Sequence, residues 1–402
     1  MTAKDSRATH TNMHTETMIV HSGRDPASHH GTVNMPVYRA STICFKTFAA
    51  LEHARANPLT EISYGIHGTP TVRALQEAVA EIEGGYRSIA VSSGLAAVTG
   101  AVLAFVKPGD HLLMVDSTYG PTRRLCETLL KRYGIETTYY DPLIDAGIAS
   151  LLRDNTRLVY AESPGSHTFE VQDIPAIASV TKRAGIPLLM DNSWGTPYHF
   201  ASFKHGVDVS IHAATKYIVG HSDVLLGLIV TNEERFAAVR DYVSIMGFNA
   251  SPDDCYLGLR GLRTIAPRMR QQAESSLKVA AWLRAQPEVE EVLHPALPGA
   301  PGHDLWKRDF TGSASLFSIV LKSRAKAAAE ALVDNRSLFS IGASWGGFES
   351  LLMPTAPGPV RTAKPWTRGQ IVRLHIGLED PDDLIADLKE GFATMRSIGA
   401  SA

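Results

Sequence analysis

Cysteine is scarce: Cys44, Cys126 and Cys255 are the three present among 402 residues. An odd, widely spaced set excludes a disulfide framework and fits a reducing compartment, so the chain is expected to be cytoplasmic. Long apolar runs are also missing. No stretch approaches the roughly eighteen residues of a membrane span, and Met1 to Glu16 lacks the apolar segment of a secretory signal. Neither sign of charge dominates, with 39 basic against 41 acidic residues and a formal net charge of -2, so no nucleic-acid face is expected. Internal repeats and low-complexity linkers are absent, which excludes a solenoid. His10, His14, His21, His29 and His30 lack the spacing of metal ligands on a recognisable element and read as solvated, so no metal is expected.

What remains is a chain of 44% hydrophobic residues, long enough for a large domain and a smaller one. Short apolar, β-rich runs at 89–92, 111–116, 158–162, 187–191, 207–212 and 224–230 alternate with helical stretches. Continuous apolar runs mean strands covered on both faces, hence an α/β architecture with a mainly parallel sheet and ligands at the strands' C-terminal ends. After about Cys255 the rhythm changes to a long helix over 264–284 and strands at 316–321 and 372–376. The expected division is an arm at 1–62 that orders against another subunit, a cofactor domain at 63–255 and a smaller α/β domain at 256–402.

Five stretches fall at strand ends or in the loops that follow, and only together do they describe a site. Ser92-Ser93-Gly94-Leu95 leads into an apolar helix and aims a helix N-terminus outward, which suits an anion. Alone, it reads as an ordinary turn using the freedom of Gly94. Asp116-Ser117-Thr118-Tyr119 offers Tyr119 as a stacking platform or as a partly buried tyrosine. In Met190-Asp191-Asn192-Ser193-Trp194 a carboxylate ends an apolar run and needs a partner, for which a protonated pyridine nitrogen, a helix cap or an arginine would serve. Lys216 follows a buried strand among the small residues of His212-Ala213-Ala214-Thr215-Lys216. Loss of water lowers a lysine's pKa and frees a neutral amine to attack an aldehyde. Lying one strand after Asp191, it completes what a pyridoxal-phosphate site requires, an amine for the aldehyde and a carboxylate that keeps the ring protonated. Ser344-Trp345-Gly346-Gly347 and Arg373-Leu374-His375 look like pieces of a carboxylate site, the planar guanidinium donating two parallel hydrogen bonds. A protein carboxylate is the alternative partner for Arg373. His212 and His221 read as structural.

These stretches resemble the Cys/Met-metabolism family of pyridoxal-phosphate enzymes, and within it the bacterial cystathionine β-lyases. The most specific signatures are YGIHGTPT from Tyr64, ESPGSHTFEVQD from Glu162, ATKYIVGHSD from Ala214, SWGGFESL from Ser344 and RLHIGLEDPDDL from Arg373. The resemblance implies a fold of the aspartate-aminotransferase type (fold type I), a homotetramer built from dimers, and active sites shared between subunits. It also implies a small sulfur amino acid as substrate, with cystathionine cleaved to homocysteine, pyruvate and ammonia. Carried over by position, Lys216 binds the cofactor covalently, Asp191 pairs with the ring nitrogen and Tyr119 stacks on the ring. Gly94, Leu95 and Thr215 surround the phosphate, which Tyr64 reaches from the neighbouring subunit. Ser344 and Arg373 hold the substrate carboxylate, with Trp345 packed beside them. Lys216, Tyr119 and Tyr64 are the expected catalytic side chains.

Three positions depart from the family pattern. Ile66 stands where relatives carry a phosphate-clamping arginine, Ala213 where many carry a phosphate-binding serine, and Ala343 replaces a bulkier residue. Ser166 resembles the β-lyase form of its segment, where γ-acting relatives carry asparagine. A γ-acting enzyme such as a cystathionine γ-synthase or an acylhomoserine sulfhydrylase, and a less selective lyase of cysteine or its conjugates, remain the alternatives.

Overall fold

The computed structural model describes residues 13–356 and 361–399. Among them, seven strands form the larger sheet: β1 Arg87–Val91, β2 His111–Val115, β3 Glu136–Tyr140, β4 Thr156–Glu162, β5 Leu188–Asp191, β6 Val209–His212 and β7 Gly227–Thr231. Their order is β1-β7-β6-β5-β4-β2-β3. The pairs among β2 to β6 are parallel, whereas β7 runs antiparallel to both β1 and β6. The reversal has a local cause. No crossover helix intervenes between β6 and β7, so the chain turns back beside the strand it has just left. The turning segment is the one that holds Lys216.

The continuous apolar runs are explained by cover on both faces. Leu113, Val115, Val159, Ala161, Leu188 and Met190 pack towards helices Pro70–Glu83 and Ile174–Ala184. Their neighbours Leu112, Met114, Leu158, Tyr160 and Leu189 pack towards helices Gly94–Leu103 and Glu233–Ile245 on the other face. The expected strands are all present, with ends shifted by a few residues. Strand β3 was not anticipated: its sequence ETTYY is polar and it lies at the sheet edge, half exposed except at Tyr140.

The smaller sheet comprises β8 Val289–Leu293, β9 Leu316–Leu321, β10 Leu351–Thr355 and β11 Ile371–His375 in the order β10-β11-β9-β8, with every pair antiparallel. Helices Ile265–Arg284, Lys326–Val333 and Pro381–Gly399 cover it and share its core. The helix expected over 264–284 starts at Ile265 with Thr264 as its cap. The position of the expected domain division, residue 255, falls inside helix Pro252–Leu262, and Cys255 is buried with the large-domain core.

Part of the segment read as an arm packs on its own chain. Ile19, in helix Thr15–His21, is 1% exposed within the same core, and Thr71 Oγ1 both donates to Pro36 O at 2.6 Å and accepts from Tyr38 N at 2.9 Å. Of the histidines read as solvated, His10 lies outside the described residues, while His14, His21 and His30 are exposed. Among the described residues no helix is long and apolar enough to cross a membrane.

Candidate functional site

The C-terminal ends of β4, β5 and β6 open into a cleft that is also lined by the small-domain residues Leu316, Trp345 and Arg373. Its lining includes Ser93, Gly94, Leu95, Tyr119, Asp191, Thr215, Lys216, Trp345 and Arg373, so most of the residues named from sequence converge. Ser344 joins them through a hydrogen bond from Lys216 Nζ at 2.6 Å. Tyr64 does not. It is 48% exposed and lies outside the lining of this cleft.

Lys216 is positioned by a tight turn and by an arginine behind it. Its carbonyl accepts from Gly220 N at 2.7 Å, and Arg268 Nη2 donates to Tyr217 O at 2.8 Å. The Trp345 ring lies 5.2 Å from Nζ. Gly346, at φ +84, allows this approach, since a side chain there would meet the Lys216 carbonyl carbon at 2.8 Å. Loss of water, helped by repulsion from Arg373, pushes the lysine down to about 8. A neutral amine is therefore accessible near physiological pH.

Opposite it, Asp191 ends β5 and Glu162 ends β4, paired side by side in the parallel register. Burial raises both carboxyls. Glu162 is pushed well up, with Asp191 adding repulsion, even though it accepts from Tyr119 N at 2.7 Å and Thr118 Oγ1 at 3.2 Å. Asp191 accepts from Ser193 N at 2.9 Å, which offsets part of its shift. Two neighbouring acids short of water hold one negative charge more easily than two, and among the described residues that charge has no cationic neighbour at hydrogen-bond distance.

Helix Gly94–Leu103 begins at the cleft wall, capped by Ser93 Oγ, which accepts from Ala96 N at 3.1 Å. Its first N–H groups have no partners within the helix. Gly94 is required there because a Cβ would come within 2.7 Å of Ala213 Cβ. Thr215 also lines the wall, its hydroxyl donating to Leu226 O at 3.2 Å and accepting from Leu226 N at 2.8 Å.

Arg373, in β11, is 7% exposed, and Nη2 donates to the carbonyls of Gly342, Ala343 and Ser344 at 3.4, 3.2 and 3.2 Å. Among the described residues no carboxylate pairs with it. An internal salt bridge finds no partner there, and burial lowers the guanidinium to about 10.

Each of these groups is left in a state that pyridoxal phosphate with an amino acid would relieve. Lys216 favours neutrality, the Asp191–Glu162 pair favours a proton donor, the helix N-terminus favours a phosphate, and Arg373 favours a carboxylate. The residues fit the cofactor.

Sequence reasoning passed over three residues here. Glu162 carried the same signal as Asp191, a carboxylate that ends an apolar run. His167 lines the cleft and showed no such signal. Arg361 also gave none. It is buried and donates to Glu170 Oε1 at 2.8 Å and Thr168 Oγ1 at 3.0 Å, while Asp116, beside Tyr119 in the chain, accepts from Thr362, Ala363 and Lys364 N at 3.0, 2.9 and 2.9 Å. This joins the segment before β11 to the loops beneath the cleft.

Comparison with known proteins agrees with this chemistry. The family model for Cys/Met metabolism PLP-dependent enzymes matches residues 16–393. A Rhizobium johnstonii protein named putative cystathionine beta-lyase is 48% identical over 401 residues, covering 98% of this chain and 100% of its own. The cystathionine beta-lyase of Escherichia coli is 45% identical over 387 residues, covering 94% and 98%. Among solved structures, the cystathionine gamma synthase of Xanthomonas oryzae pv. oryzae, in complex with aminoacrylate and cysteine, superposes with a TM-score of 0.88 at 30% identity, covering 96% of this chain and 100% of its own.

Proposed function

Since the chain belongs to the Cys/Met-metabolism enzymes that depend on pyridoxal phosphate, we propose that it is a carbon–sulfur β-lyase that cleaves cystathionine and water to homocysteine, pyruvate and ammonia. The observation that carries this reading is the convergence in one cleft of a lysine lowered to about 8, a buried carboxylate pair and an arginine without a carboxylate partner. The β-lyase relatives are also more similar in sequence, at 48% and 45%, than the γ-synthase at 30%.

The cofactor supplies an aldehyde open to attack and a protonated ring that withdraws electrons from the substrate's Cα. Lys216 Nζ would provide the neutral amine that holds the cofactor, and as a free amine it would take the proton from the substrate's Cα. Asp191 holds the ring-nitrogen proton. Glu162 shares the burden of charge beside it and fixes the start of the Tyr119 segment through the backbone N–H. The Tyr119 ring supplies the stacking face. Burial raises its phenol, so the hydroxyl keeps its proton at neutral pH and is able to donate it to the departing sulfur as the Cβ–S bond breaks. Arg373 and Ser344 orient the substrate carboxylate, while Trp345, Leu316 and Phe169 narrow the cleft against water.

The same reading extends to assembly and location. Tyr64 and Ile66 are exposed on a short turn, as side chains that complete a neighbour's site would be, which supports a homotetramer with shared sites. The three free cysteines, two of them buried, fit the cytoplasm. Incubating the purified protein with cystathionine and identifying the keto acid and thiol tests the activity. Pyruvate with homocysteine supports it. 2-Oxobutanoate with cysteine would instead place the chain among the γ-acting enzymes.

A further inference from the structure

The loop after β4 holds one polar ring, that of His167, without a hydrogen-bond partner for Nδ1 among the described residues. The ring lines the cleft with Arg373 and Lys216, and Nδ1 is buried. A buried N–H without an acceptor is rarer and costlier than a buried lone pair without a donor. The proton is therefore assigned to Nε2, on a ring that lines the cleft. The ring is neutral at physiological pH because burial and the adjacent Arg373 guanidinium push it down to about 4.

The backbone holds the ring in this place. His167 and Phe169 adopt left-handed conformations, φ +66 and +56, which non-glycine residues hold only under constraint. The constraints are visible on both sides. Ser166 N donates to Ser117 O at 2.8 Å, Phe169 N donates to Gly165 O at 3.1 Å, and Thr168 Oγ1 lies between Glu170 Oε2 at 2.5 Å and Arg361 Nη1 at 3.0 Å. A strained, pinned loop that holds a neutral ring beside a guanidinium without a carboxylate among the described residues suits an anion that enters from outside.

We propose that His167 is a substrate-binding residue whose Nε2–H donates to the same amino-acid carboxylate that Arg373 receives. The proposal rests on the assignment of Arg373 as carboxylate site but does not depend on which bond the enzyme breaks. Its consequence is selectivity for α-amino acids over plain amines, shared between a cation and a neutral donor. A neutral donor beside the arginine adds recognition without adding a second positive charge against Lys216.

Glycine provides the test, because it has the carboxylate and no leaving group at Cβ. The holoenzyme is titrated with glycine, and in parallel with ethylamine, following the change in cofactor absorbance. In His167→Leu the glycine Kd should rise about tenfold or more, with the ethylamine Kd unchanged. His167→Gln, whose amide nitrogen reaches the place of Nε2, should recover most of the affinity. His167→Asn guards against simple misfolding. Asparagine suits a left-handed backbone better than histidine, but its amide stops at the place of Nδ1, so it should bind glycine as weakly as the leucine variant. An unchanged glycine Kd in the leucine and asparagine variants, or an equal loss for glycine and ethylamine, overturns the proposal. Absence of turnover with cystathionine would refute the β-lyase reading and leave this result standing.

Discussion

Replacing Arg373 by leucine separates the cost of an unpaired charge from its use. Arg373 is 7% exposed and its guanidinium lies at about 10 instead of 12.5, so its burial costs the folded protein up to roughly 3 kcal/mol. The leucine relieves that cost and loses three rather long hydrogen bonds to carbonyls, worth roughly 0.5 to 1.5 kcal/mol each. The two sums nearly cancel. Removing one partner of a buried ion pair, by contrast, typically costs about 3 to 5 kcal/mol because the other charge is stranded. Arg373→Leu should therefore unfold within about 2 kcal/mol of the wild type, as measured on the apoprotein by denaturant titration. Substrate binding should fall sharply. Loss of a charge-assisted fork to a carboxylate, worth about 3 kcal/mol or more, raises KM roughly a hundredfold. A variant that loses several kcal/mol of stability while KM holds would show that the arginine is a structural brace and refute the reasoning.

Lys216→Ala should abolish the yellow absorbance of the covalently bound cofactor, and a variant with the wild-type band would remove the assignment. Because the folded lysine lies near 8, below its ordinary value of 10.5, reconstitution of the apoprotein with pyridoxal phosphate should quicken as pH rises through about 8, where the amine loses its proton; a midpoint at 10 or above contradicts the desolvation argument. Asp191→Ala should retain part of the cofactor and lose most turnover, since an unprotonated ring withdraws electrons poorly, and undiminished turnover counts against the ring-nitrogen role. Ile66, 41% exposed on the turn after Tyr64, makes no polar contact through its side chain. Ile66→Arg should slow cofactor loss on dialysis, a charge-assisted hydrogen bond being worth about 1.5 to 3 kcal/mol, and Tyr64→Phe should hasten it. Retention unchanged in Ile66→Arg, with activity lost on one substrate only, would make Ile66 a specificity residue.

The layered architecture and the chemical kind of the site are legible in the amino-acid sequence. Apolar runs of strand length, each ending in a loop with a polar or glycine residue, locate Gly94, Asp191 and Lys216 at one edge of a sheet, because side-chain alternation and two-sided cover are local consequences of composition. An edge strand escapes such reading, as β3 did, since one exposed flank lets it be polar. Tertiary structure alone decided which residues become neighbours. Glu162 and Asp191 sit side by side because β4 pairs with β5 in parallel with these residues in register, and neither residue's local sequence contains that fact. The pinning of the His167 loop by Arg361 likewise depends on segments 193 residues apart along the chain. Electrostatic relief acts through space, so a buried charge's partner, or its lack of one, is written in the fold.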